Sequence, residues 1–172
     1  MQVKKRDGTL EPLNVDKLHQ VVMYACEGIA GVSASEVEIH SQIQFFDTIA
    51  TEDIQETLIK SAADLISEES PNYQYVAGRL INYHLRKQVY NVFEPPCLCD
   101  IIQNNIDAGF YDKEFTELYT KDEINQLQEY IDHNRDEFLT YAAMEQFRGK
   151  YLVQNRATGK IYETPQVAYM MI

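Results

Sequence analysis

Gln2-Val-Lys-Lys-Arg-Asp-Gly-Thr-Leu-Glu-Pro-Leu13 decides how the chain begins to fold. Asp7-Gly8 is a turn dipeptide, because glycine enters the left-handed region without steric cost, and it lies between two short runs of strand character, 2–6 and 9–13. A β-hairpin is predicted, with Pro12 confining the second strand to a sheet edge because its nitrogen has no hydrogen to donate. Asn14 follows as an N-cap. From there Val15, Leu18, Val21, Val22 and Ala25 recur at helical spacing until Gly28 and Gly31 end the pattern, which gives a first helix with one face to bury.

Further along, Ser33-Ala-Ser-Glu36 reads as a capping box opening a short helix through Val37, Ile39 and Ile43. Thr51 is predicted to cap a longer helix, with Glu52 and Asp53 facing the positive end of its dipole and Ile54, Leu58, Ala62 and Leu65 on one stripe. A fourth helix carries Tyr73, Val76, Leu80 and His84 on one side, with Arg79, Arg86 and Lys87 among its only charges. It stops before Glu94-Pro95-Pro96. A double proline ends a helix and biases the preceding residues to extended conformations, so residues 93–96 are the expected domain boundary, dividing 1–93 from 94–172.

The second part is helical again. Ile101, Ile102 and Ile106 lead to Gly109; Thr120-Lys-Asp-Glu123 is another capping box before Ile124, Leu127 and Ile131; residues 138–147 give a further amphipathic pattern. Residues 151–155 and 160–163, around Thr158-Gly159, read as a second hairpin, and Thr164-Pro165 has N-cap and first-turn chemistry. The fold class expected is α+β, mostly α: a short hairpin with four helices, then a helical segment with a second hairpin. The sequence ends on Met170-Met-Ile172 without a polar tail, which reads as a helix cut short; a brief terminal helix docked in its own core is the alternative.

Of 172 residues, 45% are hydrophobic and 24% charged, with 7 Gly and 5 Pro, which places the chain among globular proteins. At this length roughly 70% of the unfolded surface can be buried, so no metal or disulfide is needed on grounds of size. The formal charge of −12 argues against nucleic acid and anionic lipid as partners. The three cysteines, Cys26, Cys97 and Cys99, lack C-x-x-C spacing, and buried thiols in a reducing cytosol are the simplest reading. Asp7-Gly8-Thr9 interrupts any leader-like start, and the longest apolar run, residues 21–26, is far below the roughly 20 residues of a membrane span. A cytoplasmic chain with no membrane partner is expected.

Within this acidic chain the positives gather at Lys4-Lys5-Arg6 and in the window 79–87, where Arg79, Arg86 and Lys87 have no carboxylate between them. Such a gathering is either a solvated face or a site for a polyphosphate, which needs several donors around it. Tyr83, one turn before Lys87, either packs in the core or lies against a base or ribose while the lysine meets phosphate. The histidines His19, His40, His84 and His133 have no zinc spacing, no carboxylate pair stands out as an acid/base dyad, and neither common phosphate-cradling glycine loop is present. No catalytic and no metal-ligating residue is assigned.

The order of these motifs resembles a known family. Val3-Lys-Lys-Arg-Asp-Gly8, Glu11, Asn14-Val-Asp-Lys17, Thr51-Glu-Asp-Ile54, Pro71-Asn-Tyr-Gln-Tyr-Val-Ala77 and His84-Leu-Arg-Lys87 together look like the ATP-cone of the large subunit of class I ribonucleotide reductase. Phe93-Glu-Pro-Pro96, Ile131-Asp-His-Asn-Arg-Asp136, Gly149-Lys-Tyr-Leu-Val-Gln-Asn-Arg156 and Ile161-Tyr-Glu-Thr-Pro-Gln166 resemble the segment joining that cone to the catalytic barrel, with enterobacterial and T-even-phage members the nearest likenesses. The resemblance implies an allosteric site for ATP or dATP with Mg²⁺, built from Lys5, Arg6, Glu11, Asn14, Lys17, Leu18, Thr51, Ile54, Gln55, Tyr83 and Lys87. In this reading Lys5, Lys17 and Lys87 hold phosphates, Glu11 accepts from the adenine amino group, and Leu18 and Ile54 supply apolar walls.

The partners it implies are the remainder of the large subunit, the small radical-generating subunit, and further copies in a homo-oligomer. The family's radical and reducing cysteines would lie beyond position 172, so this stretch alone is expected to be inactive. One departure stands out: Gln55 occupies a position where enterobacterial members carry histidine, and glutamine cannot be charged. Poor discrimination between ATP and dATP is expected from it. Two other readings remain: a helical subunit-interaction module that no longer binds nucleotide, and an ATP-cone transcriptional repressor, which the −12 charge and the missing zinc ribbon disfavour.

Overall fold

The hairpin forms where the turn chemistry places it. In the computed structural model, which describes residues 1–42 and 44–172, β1 (Gln2–Lys4) pairs antiparallel with β2 (Leu10–Pro12), Val3 opposite Glu11. Gly8 takes φ +86°, and its N–H donates to the Lys5 carbonyl at 2.9 Å. Asp7 Oδ1 accepts from the Thr9 N–H at 2.9 Å and hydroxyl at 2.7 Å, bonds that hold its carboxyl below the usual range. A third strand, β3 (Ile49–Ala50), adds parallel to β1 and gives the order β2-β1-β3.

Four helices follow from this sheet: α1 (Val15–Cys26), α2 (Ala34–Gln42), α3 (Thr51–Asp64) and α4 (Tyr73–Tyr90). Asn14 caps α1, its Oδ1 accepting from the Lys17 N–H at 2.9 Å. Two expected caps differ. Ser33 Oγ accepts from the Glu36 N–H at 3.4 Å, but the Glu36 carboxylate receives the Tyr73 hydroxyl of α4, so that box is only half closed. Thr51 does not cap α3: the extended N-cap is Ala50, without a side-chain hydrogen bond, because the strand β3 runs straight into the helix and Thr51 is already its first helical residue. Ile43, expected on the second helix, lies outside the described residues.

The chain divides into two compact units, Met1–His84 with Phe138–Met144, and Leu85–Glu137 with Glu145–Ile172. In the first, Val3, Leu18, Val22, Ile49, Ile54, Leu58, Val76 and Leu80 are buried, so the stripes of α1, α3 and α4 face the core, whereas Val15 and Ile39, expected on apolar faces, are 55% and 61% exposed. Gly78 of α4 brings its backbone against the returning segment: a Cβ there would sit 2.2 Å from the Leu139 carbonyl oxygen. Met144 of that segment is fully buried.

The second unit is built on α5 (Leu98–Asp107), α6 (Glu114–Leu118), α7 (Lys121–Gln128), a 3-10 turn (His133–Phe138) and α9 (Pro165–Met170), while α8 (Tyr141–Gln146) and a π-helical turn (Phe147–Tyr151) lead the chain back to it. Its core is Leu98, Ile101, Ile102, Ile124 and Val167. The Thr120–Glu123 box is closed in both directions. The second hairpin is reduced to one bridge, Gln154 opposite Ile161, with the Asn155 N–H donating to the Lys160 carbonyl at 2.8 Å. The Val153 N–H is taken instead by the buried Glu163 carboxylate at 2.9 Å, and Tyr151 belongs to the π-helical turn.

Candidate functional site

The parallel pairing of β1 with β3 sets the geometry of the first unit. Because both strands run the same way, the chain leaves β1 at Lys5 beside the point where it leaves β3 and enters α3. Lys5 Nζ lies 2.8 Å from Glu11 Oε1 across the hairpin, and Arg6 Nε lies 3.1 Å from Glu52 Oε1 in the first turn of α3. The start of α3 is uncapped by any side chain, so its backbone N–H groups and positive dipole end stand beside the Arg6–Glu52 pair, one residue along the chain from Lys5. A strand end, a hairpin strand and a helix start thus supply two adjacent cations, each already paired with a carboxylate.

Of the other expected residues, Thr51 and Gln55 lie one turn apart on the same face of α3, both half-buried. Gln55 Oε1 is buried and has no hydrogen-bond partner among the described residues, which costs about 1–3 kcal/mol unless a donor arrives. Leu18 and Ile54 are core residues of α1 and α3, at 7% and 4% exposure. Asn14 spends its side chain on the cap of α1, and the Lys17 side chain is exposed. Tyr83 sets its ring 6.4 Å from that of Tyr24 of α1. Lys87 stands one turn past Tyr83, on the part of α4 that belongs to the second unit.

The cationic window 79–87 is largely structural. Arg79 Nη1 donates to the Glu27 carbonyl at 2.6 Å, closing the C-terminal end of α1. Arg86, 2% exposed, donates from Nη2 to the His133 carbonyl at 2.6 Å and lies 4.8 Å over the Phe93 ring. Two of the three positives that sequence spacing groups together therefore serve their own units. Sequence reasoning also missed two acids of α3: Glu52, the partner of Arg6, and Glu56, whose Oε1 lies 3.5 Å from Nε2 of the buried His84. Both sit at i+4 spacing with no motif of their own; a capping or dipole reading accounts for Glu52 as well as a site does.

The thiols differ from expectation in one respect. Cys97 is exposed at the extended N-cap of α5, whereas Cys26 and Cys99 are half-buried; burial pushes the Cys26 thiol up to about 11. Among the described residues no cluster of three or more His, Cys, Asp or Glu is arranged to hold a metal ion, and no helix is long and apolar enough to cross a membrane.

A hairpin completed by a parallel third strand, covered by four helices and presenting cations beside a helix start, defines the class, and the family model of the ATP cone domain matches residues 1–88. The chain belongs to the ATP-cone family. Along its whole length it is similar to alpha subunits of ribonucleoside-diphosphate reductases: 52% identical over 170 residues to subunit alpha of reductase 1 of Escherichia coli (99% of this chain, 22% of that protein), and 49% over 172 residues to that of Haemophilus influenzae (100% and 23%). Subunit alpha of Enterobacteria phage T4 is 40% identical over 174 residues, covering 100% of this chain and 23% of the phage protein. The chain spans about a fifth of the length of these relatives.

Proposed function

We propose that the first unit binds ATP, with dATP as a competing effector, and that it regulates a ribonucleoside-diphosphate reductase of which this chain forms the amino-terminal part of the large subunit. The observation that carries this reading is the pair of consecutive cations Lys5 and Arg6 leaving β1, the second held by Glu52 at the uncapped start of α3. Guanidinium and ammonium groups beside free helix-start N–H donors are the ordinary equipment for phosphate. The orphaned Gln55 oxygen, one turn into the same helix, supplies an acceptor for a base amino group or a sugar hydroxyl.

Lys17 and Lys87 are assigned further phosphate contacts by the resemblance, Leu18 and Ile54 the walls, and Tyr83 a stacking or supporting role. Mg²⁺ enters as countercharge on the phosphates. Reduction of ribonucleotides would belong to the remainder of the large subunit working with a small radical-generating subunit, in a homo-oligomer of the large subunit. With Gln55 uncharged, ATP and dATP are held alike and dATP inhibits weakly. The test is thermal denaturation of the chain at rising MgATP: a ligand that binds only the native state adds about 2.7 kcal/mol at a hundred times its Kd, so the melting temperature climbs steadily. A melting temperature unmoved at millimolar MgATP contradicts the reading and favours an interaction module without nucleotide.

A further inference from the structure

The hairpin and the first turn of α3 carry three cations, Lys4, Lys5 and Arg6, and four carboxylates, Asp7, Glu11, Glu52 and Asp53. For a site expected to take a polyphosphate this is a surplus of like charge. The carboxylates are also not scattered. Asp7 is tied to Thr9, while Glu11 and Glu52 each sit on one of the cations that would meet phosphate.

Glu52 is the telling one. It stands in the first turn of α3, where the helix dipole attracts an anion, and its Oε1 is 3.1 Å from Arg6 Nε. A guanidinium on one side and the positive helix end on the other is the environment a phosphate oxygen would seek. Both side chains retain solvent access, 32% for Arg6 and 51% for Glu52, so the pair is cheap to open.

We propose, resting on the nucleotide reading above, that Glu52 is a resident anion of the site: it holds Arg6 in the place of a phosphate group. Polyphosphate then binds by exchange, one anion for another, and Glu52 sets the affinity by competing for the same guanidinium. Glu52 is thus a positioning residue that weakens binding, which keeps the sensor responsive at high nucleotide concentration instead of permanently filled. The exchange also makes countercharge brought with the nucleotide necessary, because the displaced carboxylate stays nearby.

Calorimetric titration of the 172-residue chain with MgATP tests this. Releasing Arg6 from a solvent-screened ion pair gives an expected tightening of about three- to fivefold for Glu52→Gln. Arg6→Gln is expected to weaken binding, and in that background Glu52→Gln should change affinity less than about twofold, because its competition acts through the guanidinium. Glu68→Gln, a carboxylate change away from these residues in the sequence, should leave affinity unchanged. The proposal is overturned if Glu52→Gln binds no tighter than the parent, or if its gain persists in full without Arg6. A parent chain that binds no MgATP at all overturns the nucleotide reading itself, which these two outcomes leave standing.

Discussion

Gly78→Ala is the substitution that most sharply separates local from tertiary reasoning. Residue 78 lies mid-helix in α4, where alanine would by itself favour the helix by about 0.5–1 kcal/mol. In the folded chain the new Cβ would meet the Leu139 carbonyl oxygen at 2.2 Å, with the Thr140 and Leu139 carbonyl carbons at 3.1 and 3.2 Å. All three are backbone atoms, so no rotamer change makes room. The returning segment must withdraw by more than an ångström, and the fully buried Met144 is drawn with it. Overpacking of this kind costs about 1–3 kcal/mol and the lost Met144 contacts add to it, leaving a net destabilisation of about 2 kcal/mol after the helical gain. For a chain of this size that lowers Tm by about 4–8 °C. Thermal and urea denaturation followed by circular dichroism would measure it, with Gly149→Ala, where an added Cβ meets nothing within 4 Å, as the matched control. A Gly78→Ala chain as stable as the parent would refute the placement of residues 138–144 against α4.

Three further outcomes are expected. Lys87→Glu should abolish MgATP binding in calorimetry, and an unchanged affinity would remove Lys87 from the phosphate contacts. In the complete reductase proposed above, rising dATP should inhibit shallowly because Gln55 carries no charge; a deep, cooperative loss of activity would contradict that. The third concerns Asp136 and His133 in the second unit. Burial raises the Asp136 carboxyl to about 6, against the hydrogen bond from Gln166 and the Arg86 charge, while burial and then Arg86 lower His133 to about 4. A raised carboxyl contributes stability present in full below its unfolded value of 3.8 and lost as pH rises through 6; a lowered imidazole withdraws stability as pH falls from 6.5 to 4. The two offset each other between pH 4 and 6, so Asp136→Asn should make the chain lose stability more steeply on acidification across that window. Equal slopes for parent and variant would refute it.

Much of the fold was legible because its signals are local. Asp7-Gly8 fixes a turn, Asn14 and Thr120 accept helix-start N–H groups at the positions their spacing marks, and the apolar stripes of α1, α3 and α4 face the core. What escaped is long-range. Strand β3 has two residues, too few for any alternation to show, and only pairing with β1 makes it a strand. Its presence moves the cap of α3 from Thr51 to Ala50. The returning segment Phe138–Met144 reads as one more amphipathic turn of the second part, yet it folds with the first unit, against Gly78. Charge runs were the weakest guide. They grouped Arg79 and Arg86 with Lys87, although Arg79 closes α1 and Arg86 is buried under His133 and Phe93. They also gave no sign that Glu11 and Glu52 already hold Lys5 and Arg6.

The most direct test is a nuclear magnetic resonance titration of the isotope-labelled chain with MgATP. The amides of residues 4–8, 14–18 and 51–55 should shift together along one binding curve while the core amides of the second unit, such as Ile101 and Ile124, stay in place. Spectra unchanged at saturating nucleotide, or shifts confined to residues of the second unit, would contradict the account.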